Sequence, residues 1–104
     1  MTVVESGDMQ NGDFCVIIPG YMEENHIGAV VEGIRKHCTS VVVIDDGSAD
    51  NTSIEAEKAG AVVIKHDVNK GKGVSLADGF RHVQERGFKY VITMDADGQH
   101  DPDD

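Results

Sequence analysis

The sequence predicts an α/β protein with an open, doubly wound parallel sheet. Four short apolar runs alternate with three segments that have helical spacing or helix-capping residues, in the order β-α-β-α-β-α-β. Strands that alternate with segments of about 10–15 residues are typical of parallel pairing through right-handed crossover helices. Runs that are apolar at consecutive positions indicate strands buried on both faces. We therefore expect about four parallel strands with helices on both faces of the sheet.

The first half of the chain supplies two of these strands and an amphipathic helix. Residues 14–18 form a continuous apolar run that stops at Pro19-Gly20. Residues 41–44 form a β-branched run that stops at Asp45-Asp46-Gly47. Between the two runs, apolar residues recur with the spacing of one helix face. That predicted face consists of Ile27, Val30, Val31, Ile34 and Cys38.

The second half supplies two more helices and two more strands. Asp50 is a favourable N-cap residue for the second helix, which Gly60 is suited to end. Residues 61–65 and 90–94 are short apolar runs that predict the third and fourth strands. The third helix is expected after the loop at 69–73. The residues predicted to face the sheet from this helix are Leu76, Ala77, Phe80 and Val83.

The composition limits the classes of partner. The 104 residues include 19 acidic and 9 basic side chains, which gives a net charge of −10. Nucleic-acid binding needs a basic face, so this charge argues against it and favours a cation as partner. No apolar run approaches the ~18 residues of a membrane span, and the polar first residues are not typical of a signal peptide. The two cysteines lack metal-ligand spacing, which predicts reduced, buried thiols in a cytoplasmic protein.

Two regions are expected along the chain. Residues 1–13 are polar and contain two glycines, which predicts a flexible leader. Residues 14–104 are expected to form one half-domain, and Asp101-Pro102 is typical of the start of a further helix. We therefore expect this chain to be the N-terminal portion of a larger protein. An incomplete sheet exposes apolar surface, so a homo-oligomer is a further expectation.

Acidic side chains converge at one edge of the predicted sheet. Ligands of open α/β sheets bind at the carboxyl ends of the strands, where Glu23, the Asp45-Asp46 pair and Asp95 are expected. Asp97 adds a second carboxylate two residues after Asp95, and two such charges ~4 Å apart repel by about 4 kcal/mol at an effective dielectric of 20. A hard divalent cation such as Mg²⁺ or Mn²⁺ reverses this repulsion and lets an anionic diphosphate approach. The alternative is a solvated surface turn.

Other polar groups at this edge also allow two interpretations. The Asp45-Asp46-Gly47-Ser48 segment is either a turn that caps the next helix or a source of carboxylates for a nucleotide base or ribose. Lys70 and Lys72 either contact phosphate or belong to a solvated loop. The histidines without ligand spacing, predicted to lie on the surface, are His26, His37, His66 and His82.

Four segments together carry a family resemblance. They are Pro-Gly-Tyr-Met-Glu-Glu at 19–24, Val-Ile-Asp-Asp-Gly-Ser-Ala-Asp-Asn-Thr at 43–52, Asn-Lys-Gly-Lys-Gly at 69–73 and Met-Asp-Ala-Asp-Gly-Gln-His-Asp-Pro at 94–102. In this order, residues 14–104 resemble the nucleotide-binding half of family 2 glycosyltransferases, which have the Rossmann-like GT-A fold. The last segment is most similar to the dolichol- or polyprenyl-phosphate mannosyl- and glucosyltransferases.

The resemblance implies a donor, a metal and a set of site residues. The donor is a nucleotide-diphosphate sugar, GDP- or UDP-linked, and the parent enzyme transfers mannose or glucose to an acceptor such as a polyprenyl phosphate at the cytoplasmic membrane face. Asp45 is implied to hold the base. Mg²⁺ or Mn²⁺ is implied at Asp95, Asp97 and Gln99. The implied nucleotide-sugar site consists of Pro19, Tyr21, Glu23, Asp45, Asp46, Lys72, Asp95 and Ala96.

The sequence departs from the family pattern in two respects, which limit what the resemblance implies about the site and the activity. Met22 stands where the family usually has Asn before its Glu pair, and a thioether cannot make the hydrogen bonds of an amide. The acceptor half and its general base are expected beyond residue 104, so the isolated chain is predicted to be inactive.

Other functional classes fit less well. The turn after the first strand lacks G-x-G-x-x-G, and the loop at 69–73 does not fit a P-loop. A calcium loop starting at Asp95 needs Gly where His100 stands, and haloacid dehalogenase phosphatases carry D-x-D on an early strand rather than the last. Two alternatives stay open: a receiver-like signalling module that uses Asp45-Asp46, and a non-catalytic binding module.

Overall fold

The computed structural model describes residues 2–4 and 14–96 and shows a single five-stranded sheet. The strands are β1 (Thr2–Val4), β2 (Phe14–Gly20), β3 (Val41–Asp45), β4 (Val62–Lys65) and β5 (Tyr90–Thr93). The helices are α1 (Ile27–Arg35), α2 (Thr52–Ala59) and α3 (Lys72–Glu85). The strand order is β1-β5-β2-β3-β4, and β2 to β5 pair in parallel. This confirms the predicted α/β class with four parallel strands.

The fifth strand corrects one prediction. Thr2–Val4 pairs antiparallel with β5, with Val3 opposite Ile92, so the predicted flexible leader is wrong for these residues. The physical reason is that Thr-Val-Val is a β-branched triplet with high strand propensity and that β5 offers it an unpaired edge. Residues 5–13 of the predicted leader lie outside the described residues.

The core has one layer on each face of the sheet. Because side chains alternate along a strand, Val16 and Ile18 face one side of β2 while Cys15 and Ile17 face the other. The first layer packs against α1 and α2, and the second packs against α3. Helices therefore cover both faces, as predicted. The residues of the first layer in the helices are Ile27, Val31 and Ala56.

The buried face of α3 agrees with the predicted one at Leu76 and Val83, which pack in the second layer, and differs from it elsewhere. Ser75, Gly79 and Val83 are buried, whereas Ala77 and Phe80 are exposed. The reason is close packing, because a Cβ at Gly79 would lie 2.7 Å from a methyl carbon of Ile17. Glycine lets the helix approach the sheet, and this small-residue face outweighs the more apolar Phe80.

Both cysteines, Cys15 and Cys38, are free and buried, as predicted. Burial, together with the electrostatic effect of the neighbouring Cys38, raises the pKa of the Cys15 thiol to about 12.

Within the described part of the chain, every helix is too short or too polar to cross a bilayer.

Candidate functional site

A cavity of about 300 Å³ opens at the carboxyl edge of the parallel strands. Its wall is built from the end of β2, from the turns that follow β3 and β5, and from the first residues of α3. Seven of the eight predicted nucleotide-sugar residues lie in this wall. The lining residues are Pro19, Gly20, Tyr21, Glu23, Asp46, Asn69, Gly71, Lys72, Ser75, Asp95 and Ala96.

Asp45 is the predicted site residue that does not line this cavity. Its side chain is fully buried, and its two carboxylate oxygens accept from the Ser48 N–H at 3.0 Å and from the Ser53 hydroxyl at 2.5 Å. These bonds join the end of β3 to α2. The geometry agrees with the turn-capping interpretation of Asp45, and its implied role in holding a base stays a prediction.

Asp46 is the carboxylate of this pair that faces the cavity. Its Oδ1 accepts from the Lys70 N–H at 2.8 Å and from a ring nitrogen of His66 at 2.8 Å. Its Oδ2 accepts from the Gly71 N–H at 2.9 Å. Burial alone would raise the pKa of Asp46, but these bonds from His66, Lys70 and Gly71 hold it below its ordinary value. Asp46 therefore stays ionised and holds the loop before α3.

His66 does not line the cavity but contacts Asp46, which does, and the prediction that His66 lies on the surface is wrong. It is 5% exposed, and its Nε2 lies 2.7 Å from Asp78 Oδ2, while Nδ1 contacts Asp46. The hydrogen bond to Asp46 raises the pKa of His66, against the effect of burial. Strand register could have found this contact, because Asp45 is paired with Lys65, so Asp46 and His66 are the next positions along.

The loop after β2 is held by side chains that follow β3. Three N–H groups of the loop donate to these side chains: Met22 to Ser48 Oγ (2.8 Å), Glu23 to Thr52 Oγ1 (2.9 Å) and Glu24 to Asp50 Oδ2 (3.3 Å). In the other direction, the backbone N–H of Asn51 donates to the Glu24 carboxylate at 3.0 Å. Together these four hydrogen bonds fix Tyr21 and Glu23 at the cavity wall.

Met22, where the sequence departs from the family pattern, has an unusual backbone conformation. Met22 has a φ of 57°, a left-handed conformation that Asn adopts more readily than other non-glycine residues. Its side chain is half exposed, and its N–H keeps the bond to Ser48. Methionine therefore replaces the family's usual Asn at a position where the backbone conformation favours Asn, and the loop keeps its hydrogen bond.

Gly47 brings the turn after β3 against the loop before α3. Its φ is +81°, and a Cβ there would lie 2.5 Å from the Val68 carbonyl carbon. A side chain at this position would separate Asp46 from the Lys70 and Gly71 N–H groups.

The opposite wall of the cavity carries a cation next to an acid. Lys72 Nζ lies 3.3 Å from Asp95 Oδ1, and both side chains are solvent-accessible. Lys72 is the first residue of α3, so unpaired N–H groups of the helix start here. Ser75 Oγ is buried in the same wall and has no hydrogen-bond partner among the residues that the structure describes.

The structure describes only one of the three predicted metal ligands. Asp95 lies in the cavity wall, whereas Asp97 and Gln99 lie outside the described residues. Within residues 2–4 and 14–96, no group of three or more His, Cys, Asp or Glu side chains is placed to hold a metal ion. The metal site therefore stays a prediction.

Comparison with known proteins decides the family. The sequence model described as glycosyl transferase family 2 matches residues 15–104. The chain belongs to glycosyl transferase family 2. Family membership agrees with the resemblance that the four segments showed.

Two curated relatives place the chain within the family. A UDP-N-acetylglucosamine–dolichyl-phosphate N-acetylglucosaminyltransferase of Methanococcus voltae is 36% identical over 107 residues, which cover 86% of this chain and 43% of the relative. A polyprenol monophosphomannose synthase of Mycolicibacterium smegmatis is 34% identical over 97 residues, covering 86% and 37%. The chain thus spans about two fifths of the length of these family members.

A solved glycosyltransferase shares the fold. Glucosyl-3-phosphoglycerate synthase from Mycobacterium tuberculosis, in complex with Mn²⁺, UDP-glucose and phosphoglyceric acid, superposes with a TM-score of 0.66 at 28% identity. The match covers 80% of this chain and 32% of that protein. The structural neighbours of this family member are GT-A glycosyltransferases, which confirms the predicted fold.

Proposed function

We propose that this chain is the donor-binding half of a glycosyltransferase and holds a nucleotide-diphosphate sugar in the carboxyl-edge cavity. The observation that carries the proposal is the convergence of Asp46, Lys72 and Asp95, from three segments of the family pattern, on one cavity. The parent enzyme would transfer a hexose, mannose or glucose, to an acceptor such as a polyprenyl phosphate. We place that enzyme in the cytoplasm, at the membrane face, and self-association of the chain stays a prediction.

The cavity offers groups for each part of a nucleotide. Tyr21 is half exposed at the wall and presents an aromatic surface to a base. Asp46 Oδ2 accepts one bond, from Gly71, and a carboxylate oxygen has a second lone pair for a base N–H or a ribose hydroxyl. Lys72 and the N-terminus of α3 suit a diphosphate, because both are positive and donate hydrogen bonds.

The same site fits a divalent metal by its donor chemistry. We assign Mg²⁺ or Mn²⁺ to Asp95, Asp97 and Gln99, whose oxygens are the ligands that hard cations prefer. Asp95 already accepts a positive group, since the Lys72 ammonium lies 3.3 Å from it. When bound, the metal supplies charge stabilisation for the departing nucleoside diphosphate.

The receiver-like alternative is disfavoured by the burial of the acidic pair. Asp45 is fully buried and bonded to Ser48 and Ser53, and Asp46 is 5% exposed and bonded to His66, Lys70 and Gly71. Full burial of Asp45 keeps a phosphodonor from it, and phosphorylation of Asp46 would break the hydrogen bonds that its oxygens accept from His66, Lys70 and Gly71. A non-catalytic module without a nucleotide ligand is the outcome that the binding experiment would reveal.

A binding panel tests the proposal. Titration of the chain with UDP, UDP-glucose, GDP and GDP-mannose, each with and without MnCl₂, should show metal-dependent affinity for one nucleotide. Lys72→Ala should weaken that affinity about tenfold or more, because a charge-assisted contact to phosphate is lost. Isothermal calorimetry and thermal shift provide the two measurements.

Matched variants separate the site from general charge effects. Lys36→Ala removes a positive charge from an exposed residue at the end of α1 and should leave nucleotide affinity unchanged. Asp97→Asn should abolish the metal dependence. Absence of any nucleotide-dependent signal from the folded chain, or an equal loss in the Lys36 variant, would contradict the proposal.

A further inference from the structure

A buried imidazole lies between two carboxylates below the candidate site. His66 Nδ1 is 2.8 Å from Asp46 Oδ1, and His66 Nε2 is 2.7 Å from Asp78 Oδ2. An ionised carboxylate accepts hydrogen bonds but cannot donate them, so each ring nitrogen must carry a hydrogen. A neutral imidazole has one N–H, whereas the imidazolium has two. The arrangement therefore requires a protonated ring.

The charged groups next to this ring and its two carboxylates come from the turn after β3, from α3 and from the loop between β4 and α3. Asp46 follows β3, Asp78 and Arg81 lie on α3, and Lys70 lies in the loop between β4 and α3. Arg81 Nη2 is 3.2 Å from Asp78 Oδ1, and the Lys70 N–H binds Asp46. Hydrogen bonding to His66 lowers the pKa of Asp78. Both neighbouring carboxylates thus stay ionised and favour the imidazolium.

This ring holds both sides of the helix start that forms the cavity wall. Through Asp46 it supports the N–H groups of Lys70 and Gly71, which directly precede α3. Through Asp78 it binds α3 itself, six residues after its start at Lys72. Lys72 therefore lies between two sets of contacts, those of Asp46 with the loop and that of Asp78 on α3, and His66 contacts both carboxylates.

We propose that His66 is a positioning residue whose protonated ring couples Asp46 to Asp78 and keeps the 69–71 loop and the start of α3 shaped for the donor diphosphate. The effect of His66 on diphosphate binding rests on the proposed function, whereas the coupling of its ring to the loop does not. When the ring loses its proton, one nitrogen presents a lone pair to a carboxylate. One of the two bonds is then lost, the loop loosens and nucleotide affinity falls.

The first experiment needs no nucleotide. In chain labelled with ¹⁵N at histidine, both His66 nitrogens should show N–H shifts to a pH above the ordinary titration point of about 6.5. The exchange protection of the Lys70 and Gly71 amides, corrected for intrinsic exchange, should fall about tenfold as His66 titrates, because a charge-assisted bond is lost.

A conservative variant distinguishes positioning from a merely structural role. Asp78→Asn keeps the size of the side chain but removes one of the two charges, so the His66 titration and the loss of amide protection should both move to lower pH. Asp67→Asn removes the same charge from an exposed neighbour in the chain and should move neither. A His66 titration at or below 6.5, or amide protection that does not follow it, overturns the proposal.

The second experiment measures the consequence for binding. Affinity for UDP-glucose with MgCl₂ should fall about tenfold as pH rises through the His66 titration, and Asp78→Asn should shift this profile to lower pH. His37→Gln, at an exposed histidine, should leave it unchanged. Identical profiles in both variants overturn the proposal. If no nucleotide binds at any pH, the proposed function fails, and the amide-exchange result still decides the role of His66.

Discussion

At the scale of single residues, the buried hydroxyl of Ser75 is expected to lower the stability of the fold. Its Oγ has no partner among the described residues, and a buried unsatisfied polar group costs about 1–3 kcal/mol. Alanine also has higher helix propensity than serine. We expect Ser75→Ala to raise the free energy of unfolding by about 1 kcal/mol, measured by urea denaturation.

Ser53 provides the control for this substitution. Its hydroxyl donates to Asp45 at 2.5 Å, so Ser53→Ala leaves a buried carboxylate oxygen without that bond. This variant should lose stability under the same conditions. A loss of stability in Ser75→Ala would show that its hydroxyl has a partner in solution.

The roles of individual acids were the hardest feature to predict. Asp45 and Asp46 are identical side chains in adjacent positions, yet Asp45 caps a turn and Asp46 faces the cavity. Successive residues at a strand end point to opposite sides, so one shift of register exchanges the two roles. The position of the segment at a strand end predicted that both carboxylates lie at the site, and only the structure shows that Asp46 and not Asp45 lines the cavity.

At the scale of elements, the approach of α3 to the sheet depends on Gly79. A Cβ there would lie 2.7 Å from Ile17 Cγ2 and 3.0 Å from Ile44 Cδ1. We expect Gly79→Ala to destabilise the chain by about 1–3 kcal/mol, because the core must shift to admit a methyl group. Thermal and urea unfolding would measure the effect.

Gly33 provides a matched substitution in another helix. A Cβ at Gly33, inside α1, would meet nothing within 4 Å. Gly33→Ala should therefore be neutral or stabilise the chain by up to about 1 kcal/mol through helix propensity. Equal effects of the two substitutions would rule out close packing as the reason for glycine at position 79.

The existence of elements was more predictable than their orientation. Hydrophobic spacing identified the buried residues Ile27 and Val31 of α1, because large apolar side chains make that contact. The same spacing identified Leu76 and Val83 of α3 correctly and was wrong for Ala77 and Phe80, which are exposed. It missed Ser75 and Gly79 because these residues contribute little hydropathy. Strand β1 was missed because three residues are too few for a periodic signal.

At the scale of the whole molecule, topology explains why the site could be located from sequence. Parallel strands direct their carboxyl ends to one edge, so motif residues far apart in the chain meet there. Glu23 and Asp95 are separated by most of the described chain, yet both line the same cavity. The direction of the strands therefore predicts at which edge of the sheet the site lies. It does not predict side-chain contacts between the sheet and a helix, such as that of His66 with Asp78.

The pH dependence of stability belongs to the whole molecule. Burial would raise the pKa values of Asp46 and Asp50, but their hydrogen bonds lower both below the ordinary value of about 3.9. Their contribution is present above that value and is lost as pH falls through the lowered pKa values. The raised pKa of His66 acts in the opposite sense, so its contribution is complete below about 6.5 and is lost as pH rises through the raised value.

Stability should therefore be greatest between about pH 4 and 6.5 and fall on both sides. Urea midpoints measured from pH 3 to 9 test this. The net charge of −10 also disfavours the compact state as pH rises, so the alkaline decrease has two sources. Asp78→Asn separates them, because it lowers the folded-state pKa of His66 and should make the alkaline decrease smaller and complete at a lower pH, whereas Asp67→Asn removes the same charge and should leave the decrease unchanged. A midpoint that keeps rising above pH 6.5 would contradict the protonated, doubly bonded state of His66.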